Sequence, residues 1–254
     1  RPVSVAKDHP RDHDGEMFSV LVSRTVNAPR PGSNAISRAF EDAWVGTHGY
    51  TRLDGTRQYR AIAFQGHVRT RNGETISEVF IVDLPDDLTV PGDRPLEGTE
   101  TTRPSPPRGV VQRRLTHTVG RKYPGLQGPR HWLRSSPDGA RIAFLMRDDE
   151  GIVQIWTISP NGGEPQQLTH NAFGVASAFS WSPDGRWLTY VADNSVFVSD
   201  ATTGVATRLT SEADDATSPR PEACVFSPDG KRIAYVRPVE NDGRTSNQIF
   251  VVNR

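Results

Sequence analysis

Histidine side chains are the residues with the clearest chemical potential in this chain, because imidazole both binds metals and carries protons near neutral pH. Seven are present among the 254 residues: His9, His13, His48, His67, His117, His131 and His170. The sequence contains no nucleophile elbow, no zinc-protease helix motif, no Cys-x-x-Cys pair and no phosphate-binding glycine loop. Any active site must therefore be assembled by the fold from distant segments.

His131 is the strongest of these candidates because of its position in the chain. It lies seven residues before Asp138, where a repeat begins, and Arg130 and Trp132 flank it. A repeat array that surrounds an axis gathers residues at such positions, so His131 is expected to be a metal ligand or a channel group. The alternative is a polar side chain at the start of a strand.

A basic stretch surrounds this position. From residue 108 to residue 134 the chain carries seven arginine or lysine side chains and no aspartate or glutamate, although the whole chain has a net charge of zero. The balanced net charge argues against general nucleic-acid binding. Two interpretations of the stretch stay open: solvated loop charge, or a surface for an anionic ligand, since arginine binds carboxylate and phosphate in a bidentate manner.

A threefold repeat supplies the framework that has to position these groups. Ser-Pro-Asp-Gly occurs at residues 136–139, 182–185 and 227–230, and the aspartates are 46 and then 45 residues apart. Pro-Asp-Gly favours a tight turn. A turn between β-prone stretches at this period is typical of the four-stranded antiparallel blades of a β-propeller. The sequence therefore predicts an all-β propeller. The matching segments Leu-Thr-His that end at His117 and His170 indicate a structural role for this echo.

The repeats divide the chain into three regions. Residues 131–254 are predicted to form three blades, the last of them incomplete. Residues 50–130 are predicted to form a degenerate blade, with strands at 61–64 and 78–82 and a proline-rich insertion at 85–107. Residues 1–49 are predicted to be an irregular segment with one strand and one inserted helix. Because about four blades are visible, additional blades of the same protein are expected upstream.

The inserted helix is predicted at residues 31–46, where apolar residues recur at the i, i+3 and i+4 spacing of a helix face. These residues are Ile36, Ala39, Phe40, Ala43 and Trp44. A helix inserted in a propeller packs on the ring or covers a channel mouth. His48 follows this segment directly and is the second candidate for a ligand-binding role.

Composition sets further limits. A hydrophobic content of 35%, with 22 glycines and 20 prolines, fits a turn-rich β protein. No run of 18 apolar residues exists, so no membrane span is expected. Cys224 is the single cysteine and is expected to be a small buried hydrophobe in a strand. A cytoplasmic location is favoured and a periplasmic one stays open, because no signal peptide is visible but the true N-terminus is expected to lie upstream.

The repeated turn resembles the WD40-like repeat of TolB-type propellers over residues 131–254. A closer resemblance, carried by segments 98–102, 106–116, 123–126, 129–132 and 143–149, is to the YidR-type family of uncharacterised bacterial propeller proteins. The propeller of that family is similar to those of oligogalacturonate lyases, which cleave acidic sugars with a divalent metal, typically manganese, held by His and Gln. The resemblance implies that Gln127, Arg130 and His131 supply one part of such a site.

Two functions follow from these expectations. The first is a binding or scaffold propeller that recognises a protein or a glycan at the channel mouth, through Gln127, Arg130, His131 and His48. The alternative is a metal-dependent lyase-like enzyme for acidic oligosaccharides, with His131 as metal ligand and a divalent metal such as manganese as cofactor. The expected partner is an anionic glycan or a protein, not a nucleic acid or a membrane.

Overall fold

A computed structural model describes residues 2–4, 16–129, 132–222 and 224–254 of the chain. Its regular structure is almost entirely β-strand, in four consecutive antiparallel sheets that form the blades of a β-propeller, as predicted. Two small two-stranded sheets accompany them, one of Pro2–Ser4 with Glu16–Phe18 and one of Tyr50–Thr51 with Arg57–Gln58. No helix in the described part of the chain is long and apolar enough to cross a membrane.

The first blade contains three nine-residue strands and one short strand. Its strands, from the first to the fourth, are Ile36–Trp44, Ala61–Arg69, Thr75–Asp83 and Val111–Arg114. The two central strands contain the runs predicted at 61–64 and 78–82, and they extend to nine residues each. Consecutive apolar residues of these strands are buried on both faces, which explains why the sheet persists despite an irregular first strand.

The prediction of a helix at residues 31–46 is wrong, because this segment contains the first strand of the first blade, Ile36–Trp44. The strand pairs with its neighbour in a register that shifts between Ile36 and Ala39 and again between Phe40 and Ala43. Each shift places one extra residue on this strand, as in a β-bulge. The paired residues therefore recur at alternating intervals of three and one, which imitates the spacing of a helix face. Glu41, inside the second bulge, has a φ of 53°.

The three later blades follow the Ser-Pro-Asp-Gly repeats. The second blade contains Arg134–Ser135, Ile142–Arg147, Val153–Ile158 and Gln166–Gln167. The third contains Ser180–Trp181, Trp187–Ala192, Ser195–Asp200 and Ala206–Arg208. The fourth contains three strands, Val225–Phe226, Arg232–Asn241 and Arg244–Asn253.

Each Ser-Pro-Asp-Gly turn joins the first strand of its blade to the second by the same hydrogen bonds. Ser136 Oγ donates to Asp138 Oδ1 at 2.6 Å, and Asp138 Oδ1 also accepts the Ala140 N–H at 2.9 Å. The Arg141 N–H donates back to Ser136 Oγ at 3.0 Å. The same bonds recur in the turns at 182–185 and 227–230. The repeated motif is therefore a self-contained turn that needs no ligand.

The blades pack face to face, and their first strands lie side by side. One apolar cluster joins the first and second blades through residues such as Ile81 and Phe144, and another joins the second and third through Leu145 and Tyr190. Cys224 is fully buried between the third and fourth blades, which confirms its prediction as a small core residue. Burial raises the pKa of this thiol to about 12.

The far face of the fourth blade is open. Val225, Ile249 and Val251 are 50%, 76% and 61% exposed on it. Within the described residues no strand pairs with the outer edge of Arg244–Asn253. The expectation that further blades cover this side stays a prediction.

Candidate functional site

The antiparallel blades have two chemically distinct ends. We call the turn end the one that carries the turns between first and second strands and between third and fourth strands. We call the connection end the opposite one, which carries the turns between second and third strands and the segments that lead to the next blade. A nine-residue strand spans about 30 Å at ~3.3 Å per residue, so groups at opposite ends of the first blade cannot share a ligand atom.

The structure does not bring the two described candidates from the sequence together. His48 follows the end of Ile36–Trp44 and lies exposed at the turn end, where its carbonyl accepts a hydrogen bond from Arg57 Nε at 3.0 Å. Gln127 lies at the connection end, where its N–H donates to the Leu145 carbonyl at 3.2 Å. Arg130 and His131, the other two candidates, lie outside the described residues.

The described residues do not fit the manganese centre that the family resemblance implies. Among them no three His, Cys, Asp or Glu side chains come close enough to hold a metal ion. The Gln127 amide donates to the Pro124 carbonyl of its own loop at 3.0 Å, which holds this side chain against the protein. A role for His131 as metal ligand stays a prediction.

The Leu-Thr-His echo is structural, and threonine rather than histidine performs the repeated task. Thr116 Oγ1 accepts the Val79 N–H at 2.8 Å, and Thr169 Oγ1 accepts the Ile155 N–H at 2.9 Å. Each hydroxyl thus continues the pairing between third and fourth strands after the fourth strand has ended. The following histidines, His117 and His170, are both exposed.

The basic stretch is divided between separate structural tasks. Arg113 Nη2 donates to Asp83 Oδ2 at 3.2 Å and to the Tyr50 hydroxyl at 2.7 Å. Burial, followed by the nearby Asp83 carboxylate, raises the pKa of Tyr50. Arg121 stacks over the Trp156 ring, with its guanidinium carbon 4.4 Å from the ring centroid. The described part of the stretch is therefore not one anion-binding surface.

A pocket formed where the first strands end brings together groups from three blades, and we call it the inner-wall pocket. It has a volume of about 340 Å³ and lies where the first strands of the first three blades end, at the turn end. Its lining includes Trp44 of the first blade, Arg134 of the second, and Ser180 and Trp181 of the third. Trp44 is 61% exposed, an unusual degree for the largest apolar side chain.

The polar groups of this pocket are held in place by a hydrogen bond to the backbone and by contacts with neighbouring side chains. Trp181 Nε1 donates to the Arg134 carbonyl at 3.0 Å, so the indole of the third blade is fixed against the second. The guanidinium carbon of Arg134 lies 4.7 Å from the centroid of the Trp132 ring. Burial lowers the pKa of Arg134, and the Coulombic attraction of Glu41 opposes that shift. Arg134 is thus a partly desolvated cation that stacks on Trp132 and lines the same pocket as the exposed Trp44.

Sequence reasoning missed this pocket for an identifiable reason. Trp44 was assigned to a helix face, where it would be buried, and the bulged strand exposes it instead. One signal was available for Trp181, which stands immediately before a Ser-Pro-Asp-Gly turn. The residues at that place in the other repeats are Ser135 and Phe226, so the position varies while the turn does not.

Comparison with known proteins supports the architecture. Residues 154–245 match the family described as the dipeptidyl peptidase IV N-terminal region. The chain is 52% identical over 239 residues to the uncharacterised protein YidR of Escherichia coli strain K12, which covers 92% of the chain and 54% of that protein. It is 33% identical over 104 residues to the uncharacterised protein Atu1656 of Agrobacterium fabrum, 39% of the chain and 33% of that protein. The chain thus spans about half the length of the Escherichia coli relative.

Two solved structures align with parts of this chain at low identity. A putative TolB from Agrobacterium tumefaciens aligns with a TM-score of 0.45 at 19% identity, over 84% of this chain and 61% of that one. The oligogalacturonate lyase of Vibrio parahaemolyticus aligns with a TM-score of 0.37 at 18% identity, over 51% of this chain and 33% of that one. Similarities at this level say nothing about activity.

Proposed function

The chain belongs to the YidR-type family of TolB-like β-propeller proteins, and from that premise we propose that it is a binding propeller whose inner wall recognises an acidic glycan. The observation that carries the proposal is that the exposed Trp44 indole and Arg134 line the same pocket. Such a pair suits a uronate, whose ring has an apolar C–H face and whose C6 carboxylate, at the edge of the ring, is negatively charged.

The aromatic side chains suit a sugar ring. The C–H face of a pyranose is apolar and flat, and it packs against an exposed indole such as that of Trp44. Trp181 is held by its bond to the Arg134 carbonyl, so little side-chain freedom is lost on binding. The open pocket of about 340 Å³ accommodates one ring and lets a chain continue beyond it.

Arg134 supplies the selectivity for acidic sugars. A guanidinium binds a carboxylate with two parallel hydrogen bonds, and these are stronger where solvent is partly excluded. Burial lowers the pKa of Arg134, as expected for a guanidinium that is partly withdrawn from solvent. A bound carboxylate restores favourable contacts to this cation, whereas a neutral hexose does not.

Binding is favoured over catalysis because the wall offers recognition groups only. The pocket is lined by indoles, serines and an arginine, and it contains no His, Cys, Asp or Glu among its described lining residues. The described lining residues include no pair of an acidic and a basic side chain, as general acid–base chemistry requires.

Isothermal titration calorimetry of the 254-residue chain with trigalacturonate tests the proposal, with maltotriose as the neutral ligand. We expect saturable binding of trigalacturonate and a dissociation constant about tenfold higher for Arg134→Gln, since a charged hydrogen bond contributes about 1.5–3 kcal/mol. Trp44→Ala should weaken binding of both sugars. Tyr59→Ala, which removes an aromatic side chain that is 66% exposed and outside the pocket lining, is the matched control. Equal affinity for maltotriose, or unchanged affinity in both pocket variants, would contradict the proposal.

A further inference from the structure

We infer a second binding site, for a small phosphate monoester, in a cavity at the connection end of the first blade. This cavity has a volume of about 290 Å³ and lies at the opposite end of the blade from the inner-wall pocket. Three arginines and one histidine belong to its lining, Arg69, Arg71, Arg114 and His117. The remaining lining residues are Gly32, Asn34, Val68, Thr70 and Val119.

One of the three arginines, Arg114, is neutralised by an ion pair and forms part of the cavity wall. Arg114 Nη2 lies 2.9 Å from Glu78 Oε1, and the two side chains are 8% and 0% exposed. Arg114 Nε also donates to the Thr116 carbonyl at 2.8 Å. Thr116 and Thr118 donate further hydrogen bonds to the same carboxylate, so Glu78 is committed to the core and does not face the cavity as a free anion.

The other two arginines keep their charge available. Among the residues that the structure describes, no carboxylate forms a salt bridge with Arg69 or Arg71, and both side chains are exposed. The carboxylate in the adjoining turn, Glu74, accepts a hydrogen bond from Asn72 Nδ2 at 2.9 Å. Two arginines that form no salt bridge among the described residues therefore line the cavity, together with His117.

The segment before the first strand holds Arg71 over this cavity. The Gly32 N–H donates to the Arg69 carbonyl at 2.8 Å. This hydrogen bond ties the segment to the last residue of the second strand, next to the turn between the second and third strands. A Cβ atom at residue 32 would lie 2.9 Å from Arg71 Cγ, and the φ of Gly32 is 75°. Two features thus favour glycine at residue 32: the positive φ, and the space that the aliphatic part of the Arg71 side chain occupies.

The charge count identifies the class of ligand. A phosphate monoester carries about −1.5 to −2 charges near pH 7 and offers three acceptor oxygens, which matches two arginines and a histidine. A single carboxylate would leave one guanidinium without a counter-charge. The cavity is also larger than a phosphate group, and the apolar Val68 and Val119 border the space left for the esterified part.

Calorimetric titration with glucose 6-phosphate, inorganic phosphate and glucuronate tests this inference on the 254-residue chain. We expect glucose 6-phosphate to bind at least about tenfold more tightly than glucuronate, and Arg69→Gln and Arg71→Gln each to weaken it about tenfold. Arg232→Gln, which removes an exposed arginine of the fourth blade, is the control for net charge and should bind like the parent chain.

Three outcomes would overturn the inference. These are undetectable binding of glucose 6-phosphate at millimolar concentration, unchanged affinity in both arginine variants, and equal affinity for inorganic phosphate, which would reduce the site to one for the free oxyanion. Because the probe differs from trigalacturonate and the variants lie at the other end of the blade, failure here leaves the inner-wall proposal intact. The converse also holds.

Discussion

Glu78 of the first blade and Gln154 of the second occupy the same structural position. Both are fully buried in the third strand of their blade, and each accepts a hydrogen bond from the threonine that follows the fourth strand, Thr116 or Thr169. On the neighbouring strand, Arg114 of the first blade corresponds to Gln167 of the second, since each pairs with the residue two positions after Glu78 or Gln154. One blade therefore uses an ion pair where the next uses two amides.

Arg114→Gln is expected to destabilise the first blade strongly. The substitution leaves the Glu78 carboxylate buried without its counter-charge, and breaking a buried pair in this way costs about 3–5 kcal/mol. The double variant Glu78→Gln/Arg114→Gln imitates the second blade and should recover a large part of this loss. Urea unfolding followed by circular dichroism measures both values. A double variant less stable than Arg114→Gln would show that the blades are not interchangeable at this position.

Gly139→Ala is expected to disrupt the junction between the first and second blades. A Cβ atom at residue 139 would lie 2.0 Å from the Gly49 carbonyl oxygen, which is backbone and cannot rotate away. Gly55→Ala is the control, because Gly55 also has a positive φ, of 83°, and meets nothing within 4 Å. The control should lose about 1–2 kcal/mol for its left-handed conformation, and Gly139→Ala clearly more. Equal losses in thermal unfolding would refute the close contact.

The Ser-Pro-Asp-Gly turns should weaken as the pH falls below 4. Burial raises the pKa of Asp138, but the hydrogen bonds from Ser136 and Ala140 outweigh it, and the net pKa is lowered from 3.8. A carboxyl whose pKa is lower in the folded state stabilises that state above its unfolded pKa. This stabilisation is lost as the pH falls from about 4 through the folded value.

Asp138→Asn should therefore lose part of the acid dependence of the melting temperature. The effect on the free energy of unfolding should not exceed about 1 kcal/mol, because the carboxylate is mostly exposed and solvent screens it. Thermal melts at pH 3, 4 and 7 provide the measurement, with Asp242→Asn in the exposed turn of the fourth blade as the control. An unchanged pH profile in Asp138→Asn would exclude this contribution.

Cys224 should be inert to alkylation while the chain is folded. Its thiol is fully buried between two blades, and desolvation raises its pKa to about 12, so the reactive thiolate is scarce at pH 8. Iodoacetamide at pH 8 should label the chain in 6 M urea within minutes and leave the folded chain unlabelled. Rapid labelling of the folded chain would mean that the third and fourth blades separate in solution.

Repetition made the later blades predictable. A turn motif that recurs at nearly constant spacing reports on local hydrogen bonds, such as that between Ser136 and Asp138, and these bonds form wherever the motif stands. The strands at 61–64 and 78–82 of the first blade were predictable from local pattern, since residues 61–64 and 79–82 are continuous apolar runs. The segment around Phe40 was not, because two bulges give a strand the periodicity of a helix.

The sequence by itself determined the all-β architecture, the blade spacing and the burial of Cys224, because these depend on turn chemistry and on local hydrophobic pattern. Only the tertiary structure decided which charges stay free. Arg113, Arg114 and Arg121 look alike in the sequence. In the structure Arg113 and Arg114 pair with carboxylates of the third strand of the first blade, and Arg121 stacks on an aromatic ring of the second blade. Arg69 and Arg71 have no such neighbour among the described residues. Whether a charged side chain forms an ion pair depends on residues that are distant in the sequence, and composition does not show which of them come close together in the fold.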